Sequence, residues 1–464
     1  MYRVSKTVVK QSEHPELFTL FSKYGILANN LYNAGLFRVR QNFTMHGKNA
    51  LHPLEQEVKL EIERTVTEKQ LGRPRRSMSY AFLEKLMRVT ENPDFFAGLP
   101  MQTAQNVINQ ACRDFKSWLA ACKQYKKDPS NFLGRPKMPH YKKKNSISSF
   151  TFTNQDCYVL EHNGKNLLKF PAIRGHYLPV GPVSGTLKQV EVKPYYSEFL
   201  VICVFETEAD QVPLPAGASC GIDLGVDNVA ALVSNNGKCV LYKGGALKSA
   251  NQWYNKQMAY YRSCAMQGHT PQEAAKLGLL HTRRMQDLSR RRNQFFHDIM
   301  HKIASDIVNF CLSSDITTIV IGKNKNWKQH SNLGNNNQTF VQIPLSTLRW
   351  IITYKAEAVG LLVVEQEESY TSKASFVDGD QVPTYGEEPK EGISFSGRRT
   401  KRGLYRTKEG RLINADLNGA GNILRKYEPD AFRGQVDFSF LERILVRGYP
   451  NLNKRIPVKG IGAA

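Results

Sequence analysis

The sequence predicts an α+β multidomain chain, and three observations carry that reading. β-branched, alternating text at residues 2–10 and again from 146 to 206 brackets a stretch with helical periodicity. A second block opens on a run of buried-strand character, Cys220 to Val233, and continues as helices alternating with further strands. The 464 residues also suffice for two or three domains.

Residues 2–10 read as a strand. From Glu16 to about Gln41, Leu17, Leu20, Phe21, Tyr24, Leu27 and Leu31 recur at helical spacing. A Gly- and Pro-punctuated stretch follows, with the basic residues Arg73, Arg75 and Arg76 inside it. Ala104, Val107, Ile108, Ala111, Phe115, Trp118 and Leu119 then mark another amphipathic helix. Between 133 and 144, Pro136 and Pro139 remove backbone donors and stiffen an extended segment. That segment carries Arg135, Lys137, Tyr141, Lys142 and Lys143 as candidate phosphate contacts. With the first strand, the β text from 146 to 206 predicts a small closed barrel around a helical insertion, and the boundary falls at residues 211–217.

In the second block Asp223 interrupts a hydrophobic strand, flanked by Gly221 and Gly225, which lack a Cβ and admit a close neighbour. Residues 238–242 predict an antiparallel neighbour, and residues 246–312 are helical. Within them Phe296, Ile299, Ile303, Ile307 and Phe310 form a buried stripe, while Arg283, Arg284, Arg290, Arg291 and Arg292 make a basic turn. His297 and His301 have the i, i+4 spacing of zinc ligands but no third partner, so a satisfied or exposed pair is the plainer reading. Ile316–Ile321 is a buried strand that runs into Gly322. A helix over 345–359 returns the chain to the strand 361–364, which leads into Glu365, Glu367 and Glu368. Asp416 sits at a helix start among Ala415, Gly419, Ala420 and Gly421, whose small size permits close packing on a sheet. Carboxylates on a central strand and a facing helix make an oxygen-rich pocket suited to magnesium.

The chain carries 64 Lys and Arg against 41 Asp and Glu, a net +23 spread through every region, which points to a polyanion lying across the surface. Eight cysteines without a Cys-x-x-Cys pair read as free thiols of a reducing cytoplasm. No run approaches the ~18 apolar residues of a membrane span and no signal-peptide core is present, so no membrane partner is expected.

Gly221-Ile-Asp-Leu-Gly-Val-Asp-Asn228 and Asn414-Ala-Asp-Leu-Asn-Gly-Ala-Gly-Asn-Ile-Leu424 resemble the first and third motifs of the RuvC nuclease domain of TnpB, the transposon-encoded relative of type V CRISPR effectors. The resemblance spans roughly residues 1–430 and includes the Pro-Lys-x-Pro-x-Tyr-Lys segment at 136–142. It implies a β-barrel wedge domain (1–14 and 125–210), a helical recognition insertion (15–124), an RNase H-like (RuvC) α/β nuclease domain (215–430) and a C-terminal tail (431–464). The implied activity is RNA-guided DNA cleavage beside a short flanking motif, using two magnesium ions. The implied partners are a guide RNA derived from the transposon end and target double-stranded DNA, for a monomer in the bacterial cytoplasm, associated with the nucleoid.

The chain departs from the family twice. Relatives carry a catalytic Glu directly after the strand that here ends at Ile321, whereas this chain has Gly322. The segment Glu368-Ser-Tyr-Thr-Ser-Lys373 resembles the relocated glutamate of the eukaryotic Fanzor proteins, which implies Asp223, Glu368 and Asp416 as catalytic and metal-binding residues, with Glu365 and Glu367 as alternatives. Relatives also insert a four-cysteine zinc ribbon after this point, yet no Cys follows Cys311, so no structural zinc is expected. In its place Arg398, Arg399, Lys401 and Arg402 predict a basic hairpin beside the site. The missing second-motif Glu favours one rival, a nuclease-inactive RNA-guided DNA binder that represses transcription; a third reading is a guide-free structure-specific nuclease that cuts without RNA.

Overall fold

The computed structural model describes residues 2–181, 185–208, 214–323, 342–386, 394–401, 403–435 and 437–449. Arg402, the basic residues 324–328, part of the expected boundary (211–213) and the tail beyond 449 lie outside the described residues. The chain divides into two compact units, Met1–Ala209 and Asp210–Ala464.

The first unit runs β1 (Tyr2–Val9), α1 (Pro15–Met45), α2 (Pro53–Lys69), α3 (Tyr80–Val89), α4 (Met101–Lys127), β2 (Phe150–Thr153), β3 (Tyr158–His162), β4 (Lys165–Lys169), β5 (Tyr177–Val180), β6 (Thr186–Tyr195) and β7 (Glu198–Glu206). Its strands form two sheets, ordered β1-β7-β6-β2 and β3-β4-β5. The expected closed barrel is therefore corrected: among the described residues no ladder joins β1 to β5. Pro179 in β5 has no N–H to give to a ladder. Side chains bridge the gap instead, with Thr7 Oγ1 donating to Pro179 O (3.3 Å) and Ser5 Oγ accepting from Gly181 N (3.3 Å). The core is largely aromatic, and Phe21 meets Phe150, Phe170 and Phe199 edge to face.

The proline-stiffened segment 133–144 is held along the helices through its own carbonyls. Trp118 of α4 donates to Pro136 O (3.2 Å), Arg40 of α1 to Pro139 O (3.2 Å), Asn33 to Lys142 O (2.9 Å) and Asn29 to Lys143 O (2.8 Å).

The second unit runs β8 (Ala218–Asp223), β9 (Asn228–Ser234), β10 (Cys239–Lys243), α5 (Gly245–Ala265), α6 (Pro271–Lys276), α7 (Arg283–Ser313), β11 (Ile316–Lys323), α8 (Leu345–Glu357), β12 (Leu362–Glu367), β13 (Arg398–Lys401), β14 (Leu404–Arg406), β15 (Leu412–Asn414), α9 (Ala415–Tyr427) and β16 (Leu445–Arg447). Its main sheet is ordered β12-β11-β8-β9-β10-β16. β8, β9 and β10 form an antiparallel meander, while β11 and β12 add in parallel beside β8. The apolar stripe of α7 and the buried face of α8 pack with Cys220, Ile222, Ile319 and Ile321 in one core. A second core joins Ala231, Val233 and Leu241 to Leu417 and Ala420 of α9, and β13, β14 and β15 form a small separate sheet.

Part of the expected tail is built into this unit. β16 pairs in parallel with β10, because Phe438 and Leu441 bury ahead of it and Phe438 meets Phe376 edge to face.

β8 and α9 touch backbone to backbone at Gly221. A Cβ there would run into the Ala420 carbonyl and lie 2.9 Å from Leu424 N. Gly221→Val is therefore expected to cost at least the ~1–3 kcal/mol of an overpacked core, read as a lower midpoint for this unit in thermal unfolding; an unchanged midpoint contradicts the contact.

Candidate active site

Asp223 closes β8, and the parallel register brings the ends of β11 and β12 alongside it, with Ile321 opposite Ile222 on one side and Glu365 on the other. The carboxyl ends of parallel strands are where open α/β sheets place their ligands. Asp416 joins from the first turn of α9, whose cap Asn414 accepts from the amides of Asp416 (2.9 Å) and Leu417 (3.2 Å). Gly419, one turn along α9, lies against Asp223, and a Cβ there would stand 2.6 Å from Asp223 Oδ2.

The three glutamates after β12 separate by environment. Glu365 pairs with Lys323 and, at 3.0 Å, with Arg349, and the Lys323 bond holds its carboxyl below the usual range. Glu367 is held low despite burial, through Lys426 and the Ser369 amide (2.7 Å). Glu368 turns the other way, toward Gly322: a Cβ on Gly322 would run into the Glu368 carboxylate and lie 2.7 Å from Ile423 Cδ1. Burial first, then the neighbouring Glu367, pushes Glu368 up to about 7, against the pull of Arg349 and Lys426.

Asp223 is raised well above the usual carboxylate range by burial, then by the charges of Glu368 and Asp416, with Arg399 opposing. Asp223, Glu368 and Asp416 thus share one electrostatic neighbourhood. They are not drawn into a tight cage, and among the described residues no three His, Cys, Asp or Glu side chains gather at metal-ligand spacing. The donor set nonetheless suits a hard cation: oxygen ligands only, with mutual repulsion that a cation would relieve.

Two further side chains enter the site. Asn228, buried at the start of β9, donates from Nδ2 to Asp416 Oδ2 (2.6 Å), and its own Oδ1 is buried with no hydrogen-bond partner. Arg399 of β13, expected to meet nucleic acid, has its guanidinium 3.7 Å from Asp416 Oδ1. The sequence offered a signal for Asn228 only in its place within the first motif.

The remaining basic residues have surroundings of their own. Arg73 is exposed and 3.4 Å from Glu63, Arg75 is exposed, and Arg76 covers the Phe43 ring. Arg135, Lys137 and Lys143 are exposed, Tyr141 lies under Arg40, and Lys142 reaches over Tyr32. On α7, Arg283 is exposed, Arg284 stacks on Tyr261, and Arg290 and Arg291 both pair with Asp287 at 2.5 and 2.8 Å. Arg398 and Lys401 are exposed on β13. His297 and His301 face each other, Nε2 to Nε2, at 3.1 Å. All eight cysteines are free, and no helix among the described residues is long and apolar enough to cross a membrane.

Two family models match parts of the chain that carry this mixed sheet. The OrfB_IS605 family, described as probable transposase, matches residues 202–328, and the Cas12f1-like TNB domain matches residues 346–423. The TnpB-like protein ORF457 of Acidianus two-tailed virus is 28% identical over 223 residues, 48% of this chain and 44% of that protein. The match thus spans less than half the length of that relative. Among solved structures, a Cas12f1–sgRNA–target DNA complex aligns with TM-score 0.49 at 14% identity, covering 89% of this chain and 84% of that one. The mini-RNA-guided endonuclease CRISPR-Cas_phi3 aligns with TM-score 0.44 at 10% identity, covering 94% and 93%. The chain is TnpB-like.

A carboxyl whose pKa is raised by folding favours the folded state while protonated. For Glu368 that contribution is full below its ordinary 4.5 and is lost as pH rises through about 7. Metal-free protein should therefore lose stability across that window, and Glu368→Gln should flatten the loss in thermal melts taken at successive pH values. An identical pH dependence in the variant refutes the buried placement.

Proposed function

We propose that this protein is an RNA-guided DNA endonuclease of TnpB type, with Asp223, Glu368 and Asp416 as its catalytic carboxylates. The observation that carries the reading is the Glu368 carboxylate standing in the space that Gly322 leaves open, at the position where relatives place their glutamate. The strand order supports an RNase H-like domain over 215–430: an antiparallel meander extended in parallel from its first strand. We assign residues 1–14 and 125–210 to a wedge domain and 15–124 to the recognition insertion.

Asp223, Glu368 and Asp416 would hold magnesium, which when bound supplies an activated water and stabilises the departing 3′ oxygen of a phosphodiester. The chain's own residues prepare that chemistry. Asn228 fixes the orientation of Asp416 through Oδ2. Burial and mutual repulsion raise Asp223, and burial raises Glu368, so a cation bound there would displace their protons and favour the ionised carboxylates. Arg398 and Lys401 on the hairpin, the exposed cations of segment 133–144 and the basic turn of α7 supply phosphate contacts for guide RNA and target DNA. Sequence is read by base pairing with the guide, and the protein reads the short flanking motif.

Asp223→Asn, Glu368→Gln and Asp416→Asn should each reduce magnesium-dependent cleavage of a guide-matched target by more than the ~10–100-fold typical of losing an outer-shell partner. Guide-dependent target binding should persist. Wild-type protein that binds the matched target yet never cuts it in magnesium or manganese would leave the repressor reading, whereas cutting without RNA would leave the guide-free one.

The hairpin has its own test. Replacing Arg398 and Lys401 by Ala should lower the slope of log affinity against log salt by about 2, near 0.9 for each lost phosphate contact. An unchanged slope makes the hairpin a solvated loop.

A further inference from the structure

Glu368 belongs to no strand, since β12 ends at Glu367. Two adjacent glutamates therefore compete for the inward position, and something outside the strand must choose between them. That element is α9. The Lys426 side chain is only 4% exposed; it pairs with Glu367 and donates to Ser369 O (3.2 Å) and Pro383 O (3.0 Å). An ammonium has three protons, and here three acceptors receive them.

The same helix stitches down the rest of the turn. Asn422 donates to Thr371 O (2.9 Å) and Ala374 O (2.7 Å). Asn418 also donates to Ala374 O (2.7 Å) and accepts from Phe376 N (3.2 Å). Arg425 donates to Asp380 O (2.8 Å) and Gly379 O (3.0 Å). Lys426 alone in this row grips both sides of Glu368, through the side chain of the residue before it and the carbonyl of the residue after it.

We propose that Lys426 is a positioning residue that selects Glu368 over Glu367 as the carboxylate facing the site. The proposal rests on the reading above, in which Glu368 is a ligand. Lys426 does two things at once: it engages the Glu367 carboxylate so that Glu367 stays turned away, and it clamps the backbone so that Glu368 points toward Gly322. A planar guanidinium presents its donors in a fixed fork and does not reproduce three convergent bonds, so Arg is a poor substitute.

The test uses full-length protein in complex with the guide RNA transcribed from its own locus. Lys426→Met should slow cleavage of matched DNA about 10–100-fold and weaken manganese binding, followed by calorimetry without target, by a similar factor. Guide RNA affinity should be unchanged, and amides of residues 368–376 should lose protection in hydrogen exchange. Adding Glu367→Gln to Lys426→Met removes the competing carboxylate and should recover part of both losses. Unchanged cleavage and manganese affinity in Lys426→Met would overturn the proposal. So would losses accompanied by weakened guide binding, which mark a general structural role, or a double variant with no recovery. Glu368→Gln, measured in the same series, keeps the two readings apart: if it cleaves normally the ligand assignment itself fails, whatever Lys426 does.

Discussion

The contact between α9 and β8 is the constraint on which the second unit depends. Asp223 and Asp416 can share a neighbourhood only if the helix approaches the sheet at backbone distance. Such an approach needs residues with little or no side chain on both sides. Gly221 provides it on the strand, and Gly419 and Ala420 on the helix. Gly421 serves the next layer out, where a Cβ would stand 2.5 Å from the Phe376 ring. The run of small residues after Asp416 is therefore a packing surface first, and the electrostatics of the site follow from it.

The second consequence is a sharp contrast in ionisation between neighbouring carboxyls. Glu365 and Glu367 meet cations at once and are held in the ionised form, whereas Glu368 is raised by burial and by Glu367, and Asp223 by burial and then by Glu368 and Asp416. Carboxylates held ionised by partners and a carboxyl pushed up by burial thus lie within four residues of one another, and the difference between them is which side chains have a lysine. Among the described residues, Arg399 is the hairpin cation that reaches Asp416, which ties the small three-stranded sheet to the cluster rather than to the surface alone.

Much of this was legible in the sequence where periodicity or composition carried it. The strands at 2–9, 218–223 and 316–323, the apolar stripe of α7 and the small-residue start of α9 follow from local patterns that tertiary packing then kept. The inward turn of Glu368 was read from a matching motif. What local text could not carry was pairing between distant segments. Closure of the first-unit strands into a barrel fails because, among the described residues, no ladder joins the sheet β1-β7-β6-β2 to the sheet β3-β4-β5, and only the register reveals that. β16 reads as part of an unpatterned tail because three residues make too short a window, and its strand form depends on β10. Asn228 and Lys426 look like ordinary polar residues until their partners arrive from 188 and 59 residues away.

That separation has a meaning for synthesis. As the chain leaves the ribosome, β8 to β10 emerge with Asp223 but without Asp416, and the outer edge of β10 stays unpaired until β16 follows. Domains assemble largely in the order in which their parts become available. The acidic cluster is therefore completed only once the helix from Ala415 has been made, and a polypeptide halted before Ala415 carries Asp223 and Glu368 with no third carboxylate to join them. The order of the elements along the chain delays assembly of the site until almost all of the described fold has been made.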